Sequence, residues 1–176
     1  MQQKFEQLCQ LTRQSNYIKS TLALLEWDQQ TKLPSEAGQY RAQQITYLSG
    51  ELHRQETDPK RGELLGELVE SDLASDPHGD TGTTIRELKR RYDKKVKLPQ
   101  SLVESLAQAS SVGQQVWITA RKTNDFKSFQ PNLTEIFALK REEAQAIGYD
   151  ENPYDCLLYT SPSPRDATLS RMPYSA

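Results

Sequence analysis

Cysteine, histidine, methionine and tryptophan are scarce in this chain of 176 residues, which contains two of each. Two cysteines cannot build a disulfide framework, so reduced thiols are expected. Two histidines without a cysteine cluster argue against a zinc site formed by this chain alone. The chain also lacks a run of about 18 apolar residues, which excludes a transmembrane helix, and it starts without the pattern of a signal peptide. These scarcities predict a cytoplasmic protein.

Neither sign of charge dominates, since 22 Lys and Arg residues face 24 Asp and Glu residues and the formal net charge is −2. Such a balance argues against bulk binding to nucleic acid or to a membrane surface. Hydrophobic residues make up 35% of the chain and charged residues 26%. This composition is polar for a globular domain, but it is not typical of disorder because the net charge is near zero.

What the chain does contain is helical periodicity. Apolar residues recur at α-helical spacing through most of residues 1–155, and no alternating stretch of strand length is present. We therefore predict an all-α fold, with about six helices in an antiparallel array joined by short connections.

Several helix boundaries are predicted from capping and breaking residues. Ser35 is a predicted N-cap, and Asp58 is another, with proline at the first helical position after it. Residues 75–82 form a predicted loop, and residues 124–132, which include Pro131, form a predicted connection. Gly148 is predicted to end the last helix.

No catalytic and no metal-binding residue is predicted in this chain. His53 lies late in a predicted helix without the second histidine that the H-E-x-x-H pattern of zinc helices requires. His78 lies in a polar loop. Glu142 and Glu143 are adjacent on a helix, so their side chains point about 100° apart, and we interpret them as surface residues.

Residues 89–97 contain six basic side chains: Lys89, Arg90, Arg91, Lys94, Lys95 and Lys97. They form either a nucleic-acid patch or the solvated face of a helix. We favour the solvated face, because no second patch or aromatic platform accompanies the segment. No nucleic-acid partner is therefore predicted.

The two tryptophans lie in segments of unusual composition. Trp27, near a helix end, is either a packed core residue or part of a cleft wall, and the core interpretation is favoured. Near Trp117, Arg121 is spaced to pair with Asp125 four residues later. Gly113, on the apolar stripe of the same helix, predicts a close approach to a neighbouring helix.

The chain changes character near Asp155. Residues 156–176 hold three of the nine prolines and no Gln or Glu, which is typical of a disordered tail. Residues 156–166, however, can be back-translated into the transposon-end adapter of shotgun sequencing libraries, and residues 169–176 match its continuation at all positions but one. We therefore expect residues 156–176 to be a non-native, disordered tail that is excluded from fold reasoning.

Three segments carry a family resemblance: WDQQTKLPSEAGQYRAQQITYLSGELH at 27–53, LPQSLVESLAQASSVGQQVWITARKTNDFKSFQPNL at 98–133 and REEAQAIGYDENPYD at 141–155. The first is similar to a W-D-x-x-T-x-x-P-x-x-G-x-x-x-R-A-x-Q pattern, with alanine and glycine in a different order at Ala37 and Gly38. Together they resemble the N-terminal part of the carboxypeptidase Taq family of zinc metallocarboxypeptidases.

The resemblance implies a helical peptidase with a deep groove, which releases C-terminal residues from peptides. It implies zinc on an H-E-x-x-H helix, with a second glutamate as third ligand and the motif's glutamate as general base. No such motif occurs in the 176 residues. We therefore expect an inactive N-terminal fragment that binds no zinc by itself, whose helices contribute to one groove wall and to the subunit contact of a homodimer.

The alternative is a complete, non-enzymatic helical interaction module. A fragment should leave apolar helix faces exposed, because their partner helices are missing. We expect such exposure at Leu64, Leu65, Leu106 and Trp117.

Overall fold

The computed structural model describes residues 1–76, 78–149 and 152–154, so the predicted tail at 156–176 lies outside the described residues. Six α-helices and no β-strand occur in the described ranges, which confirms the all-α prediction. The helices are α1 (Gln2–Thr31), α2 (Gly38–Glu56), α3 (Pro59–Val69), α4 (Asp80–Lys95), α5 (Gln100–Thr123) and α6 (Phe126–Ile147). Two 3-10 turns, Ser35–Ala37 and Asp72–Ala74, precede α2 and α4.

Several helix ends lie where the capping residues predict them. The Asp58 carboxylate accepts a hydrogen bond from the backbone N–H of Lys60 at 2.8 Å, with Pro59 at the first position of α3. Proline is suited to that position because the N–H it lacks would have no partner there. Gly148 ends α6 with a φ of 90°, a value that glycine adopts without a steric penalty.

Three predicted boundaries are wrong. The loop predicted at 75–82 ends earlier than expected, because α4 begins at Asp80. Ser35 does not cap α2, because its hydroxyl donates to the Glu36 carboxylate at 2.7 Å and Ala37 occupies the N-cap position. Residues 124–132 are not a long connection, because α6 begins at Phe126 and contains Pro131. The Asp125 carboxylate caps α6 by accepting from the backbone N–H of Ser128.

A proline inside α6 is tolerated for a simple reason. The missing N–H of Pro131 frees one carbonyl, that of Lys127, in the first turn of the helix. Residue 127 is exposed, so water can satisfy that carbonyl.

The reversal from α5 into α6 takes place at Asn124, which adopts the left-handed conformation (φ 55°, ψ 33°). Asparagine adopts that conformation more readily than most residues.

The main hydrophobic core lies where α1, α3 and α4 meet. Leu8, Leu65, Leu68 and Ile85 are fully buried there. The prediction that Leu64 and Leu65 are exposed is therefore wrong, since their exposed fractions are 9% and 0%. Helices α1 and α4 of the same chain cover this face of α3, so it needs no partner from elsewhere.

A second packed region joins α2, α5 and α6. Its buried residues are largely small, including Ala42, Ala109, Ala120 and Ala144. Gly113 is buried in α5, and a Cβ placed on it would lie 3.2 Å from the Ile136 side chain of α6. The predicted close approach at Gly113 is therefore confirmed.

Candidate functional site

A concave feature with converging polar groups lies between α1, α2 and α5. This α1–α2–α5 cleft has a volume of about 310 Å³. The residues that line it are Glu26, Gln29, Gln30, Ile45, Ser49, Leu106, Ala107, Ser110, Ser111 and Gln114. Most of them carry amide or hydroxyl groups, which donate and accept hydrogen bonds without a net charge.

A reciprocal hydrogen-bond pair holds the floor of the cleft. The Gln29 side-chain amide donates to the Ser111 carbonyl oxygen at 2.9 Å, and the Ser111 hydroxyl donates to Gln29 Oε1 at 2.9 Å. Both residues are buried. Because buried polar groups are costly without partners, this pair specifies how α1 and α5 align.

The lining chemistry suits binding better than bond breaking. Of the described residues that line the cleft, only Glu26 is ionisable. A nucleophile paired with a base, the usual arrangement for covalent catalysis, is therefore not formed by the lining residues that the structure describes. The cleft can instead hold an extended polar ligand through hydrogen bonds to its glutamine and serine side chains.

One end of the cleft region is held by an ion pair between α1 and α2. Arg41 Nη1 lies 2.8 Å from Asp28 Oδ2 and also donates to the Leu25 carbonyl oxygen at 2.8 Å. The neighbouring Trp27 is 56% exposed, so its interpretation as a packed core residue is wrong. The α-helical spacing turns Trp27 away from Asp28 and toward solvent.

A second concavity, of about 370 Å³, lies at the joint of α5 and α6. Trp117, 42% exposed as predicted, lines it with Phe126 and Phe129. The Arg121 guanidinium lies over the Trp117 ring, 5.2 Å from its centroid, a cation–π contact. Asp125, the predicted ion-pair partner of Arg121, instead caps α6. Leu106, also predicted to be exposed, is half-buried.

The two histidines lie apart and neither faces the cleft. His53 is buried in α2, and its Nε2 lies 2.9 Å from the Leu98 carbonyl oxygen. A carbonyl can only accept, so Nε2 carries the proton and donates. His78 lies in the exposed loop before α4, where its backbone N–H donates to Asp76. Both positions favour structural roles.

Acidic side chains surround most of the basic segment 89–97. Lys89 pairs with Asp93, Arg90 and Arg91 pair with Glu87, and Lys95 pairs with Glu56. Of the two glutamates considered in α6, Glu142 is exposed and Glu143 pairs with Lys140 at 2.7 Å. This pairing is typical of a solvated helix face.

The two arginines beside Glu87 are expected to make the free energy of unfolding depend on pH. Hydrogen bonds from Arg90 and Arg91 lower the pKa of Glu87 to about 2. A lowered folded-state pKa adds stability above pH 4.5, and that stability is lost as the pH falls toward 2. Because Glu87 is partly exposed, Glu87→Gln should lower the free energy of unfolding at pH 7 by no more than about 1 kcal/mol. Urea denaturation from pH 7 to pH 2 measures the difference.

The matched control is Glu135→Gln, at an exposed position of α6. The difference between wild type and Glu87→Gln should shrink below pH 4.5, whereas Glu135→Gln should stay close to wild type throughout. A difference for Glu87→Gln that is constant from pH 7 to pH 2 would contradict the assignment.

Metal-ligating side chains do not converge in the part of the chain that the structure describes. No three His, Cys, Asp or Glu residues there are placed so that they could hold a metal ion. None of the helices in the same ranges has the length and apolar composition needed to cross a bilayer.

Sequence reasoning missed two features. The Gln29–Ser111 pair joins residues far apart in the chain, and no local pattern identifies it. Arg61, buried at 7% exposure, does carry a signal, because it precedes Leu64 and Leu65 by three and four residues. That spacing puts it on the apolar face of α3, where a charged side chain is unexpected.

Comparison with known proteins identifies the class and then the family. A family model described as carboxypeptidase Taq (M32) metallopeptidase matches residues 7–172, so the class is a metallopeptidase. The chain belongs to the carboxypeptidase Taq (M32) family, as the sequence resemblance predicted. The matched range continues past Asp155, and the domain boundary proposed there stays a prediction.

The chain is similar to known carboxypeptidases over most of its length. It is 34% identical to thermostable carboxypeptidase 1 of Thermus thermophilus over 143 residues, or 81% of this chain and 28% of that protein. It is 27% identical to carboxypeptidase 1 of Bacillus subtilis over 150 residues, or 84% of this chain and 29% of that protein. The chain thus spans less than a third of these relatives.

The fold is similar to that of solved M32 carboxypeptidases. The crystal structure of the M32 carboxypeptidase from Deinococcus radiodurans R1 superposes with a TM-score of 0.70 at 25% identity. The match covers 95% of this chain and 34% of the Deinococcus protein.

Proposed function

We propose that this chain is the N-terminal part of a zinc-dependent carboxypeptidase that releases C-terminal residues from peptides. The observation that carries the proposal is the family match over residues 7–172 combined with coverage of 28–29% of the matched relatives. Both relatives are named carboxypeptidases, and both are much longer than this chain.

The zinc ligands are proposed to lie outside this chain. The described residues do not fit a zinc site, because His53 donates its Nε2 proton to the Leu98 carbonyl and His78 lies in a separate loop. The H-E-x-x-H pattern is also missing from the 176 residues. The chain by itself is therefore proposed to be inactive, and no catalytic step is assigned to its residues.

The α1–α2–α5 cleft is proposed to form part of the wall that binds the peptide. A peptide backbone presents alternating donors and acceptors, and the side chains of Gln30, Ser49 and Gln114 offer both kinds of group. The cleft is open on one side, where the remaining helices of the whole protein would complete the groove.

The free thiol of Cys9 supports a reducing compartment, and we place the protein in the cytoplasm. A homodimer stays a prediction.

The test compares this chain with the whole protein encoded by its gene. Each is supplied with zinc or cobalt and an N-blocked dipeptide, and release of the C-terminal amino acid is measured. The whole protein should release the amino acid, lose the activity on chelation and regain it with metal, while the 176-residue chain should match the blank. Metal-dependent release by the chain alone would refute the inactivity, and a whole protein without release would refute the carboxypeptidase assignment.

A further inference from the structure

Arg61 is a buried cation with an unused donor. It is 7% exposed, and its Nη2 donates to the Ser15 hydroxyl at 3.0 Å. That hydroxyl in turn donates to the Leu11 carbonyl oxygen at 3.2 Å. Among the described residues, the Arg61 Nε–H is buried and has no acceptor. Buried polar groups almost always have a partner, so an unfilled donor on a buried charge indicates a missing acceptor.

The charges around Arg61 are unbalanced. Arg61 lines a small cavity, and Lys19 and Lys95 line it as well. Both lysines pair with Glu56, and the distance from Lys19 Nζ to Glu56 Oε1 is 3.9 Å. Among the residues that line the cavity, Glu56 supplies the one carboxylate for these cations, of which Arg61 is buried and Lys19 is 55% exposed at its side chain. Arg91 also lines the cavity and pairs with Glu87 at 2.7 Å, a carboxylate that it shares with Arg90. Burying unpaired charge is costly, so an anion in this place would stabilise the fold.

Burial is the main influence on the ionisation of Lys95 and Arg61. Burial is the main cause that lowers the pKa of Lys95, and the positive charges of Lys19 and Arg61 lower it further, against the raising influence of Glu56. Burial likewise lowers the pKa of Arg61, which Glu56 and Asp58 oppose. Asp58 itself is exposed and caps α3, so it does not fill the cavity.

The cavity is small and polar on one side. Its volume is about 50 Å³, and its polar lining comprises Thr12, Ser15, Asn16, Lys19, Arg61, Arg91, Tyr92 and Lys95 besides the carboxylate of Glu56. A water molecule needs about 10–15 Å³ of such volume, so the cavity has room for a small guest. We propose that this cavity binds one halide-sized inorganic anion, with chloride as the probe, held by the Arg61 Nε–H and by the charges of Lys19 and Lys95. The proposal does not depend on peptidase activity.

Crystals of the chain grown in sodium bromide test the site directly. Bromide replaces chloride and scatters anomalously, so an anomalous peak is expected within contact distance of Arg61 Nε. An ordered water at Nε, with no anomalous peak, would overturn the proposal.

Thermal unfolding at constant ionic strength tests binding in solution. Sodium chloride is exchanged against sodium gluconate, whose anion is too large for the cavity. Since a ligand that binds the folded state raises its stability with the logarithm of concentration, Tm should rise on the order of 5 °C at about 100 times Kd. Equal Tm values in the two salts would overturn the proposal, and a larger effect of inorganic phosphate would overturn the halide assignment.

Variants separate this site from general salt effects. Arg61→Met keeps the apolar stem and should abolish the chloride-dependent rise in Tm. Since Arg61→Met could unfold the chain, Lys19→Gln provides a second variant, because the Lys19 side chain is 55% exposed. Lys19→Gln should reduce the rise, whereas Lys60→Gln, at an exposed position of α3, should keep it. A full chloride effect in Lys19→Gln and Arg61→Met would refute the site.

Discussion

Leu65→Ala is expected to lower the free energy of unfolding by about 2–5 kcal/mol. Leu65 is completely buried and packs with Leu8, Leu68 and Ile85 where α1, α3 and α4 meet. Removing its isobutyl group loses apolar burial and leaves a cavity that the surrounding helices fill only in part. Urea denaturation followed by circular dichroism measures the loss.

The matched control for Leu65→Ala is Leu24→Ala, the same chemical change at a position that is 62% exposed on α1. This control should change the free energy of unfolding by no more than about 0.5 kcal/mol. Similar losses for the two variants would show that α3 is not packed against α1 and α4 in solution.

The second large effect is expected at the floor of the α1–α2–α5 cleft. Ser111→Ala removes the hydroxyl that donates to Gln29 Oε1. The buried oxygen is then left without a donor, which should lower the free energy of unfolding by about 1–3 kcal/mol. Urea denaturation measures this loss as well.

Two further variants test the cause. Ser110→Ala makes the same change at an exposed neighbour that lines the same cleft, and it should stay within about 0.5 kcal/mol of wild type. Adding Gln29→Leu to Ser111→Ala should recover part of the loss, because no unsatisfied side-chain oxygen remains. A loss from Ser111→Ala no larger than that from Ser110→Ala would contradict the hydrogen-bond pair.

Much of the local structure could be predicted, because it depends on residues close together in the chain. Asp58 with Pro59 and the positive-φ Gly148 each act on the backbone within a turn or so of their own position. The family pattern at 27–53 likewise depends on order along the chain alone. These features can be predicted from the sequence before the packing of the helices is known.

The errors arose where neighbouring helices decide the outcome. The predicted exposure of Leu64 and Leu65 assumes that their partner helices are missing, but α1 and α4 pack against α3. The core position predicted for Trp27 is wrong for the same reason, since its side chain is 56% exposed. Apolar spacing shows that a helix has a buried face, but it does not show which helix covers that face.

The sequence by itself determined the helices, most of their ends and the family, since propensity, capping and motif order are local properties of the chain. Only the tertiary structure decided which residues share a surface. The Gln29–Ser111 pair and the cations around Arg61 come from separate helices, and long-range packing alone brings their donors, acceptors and charges within interaction distance.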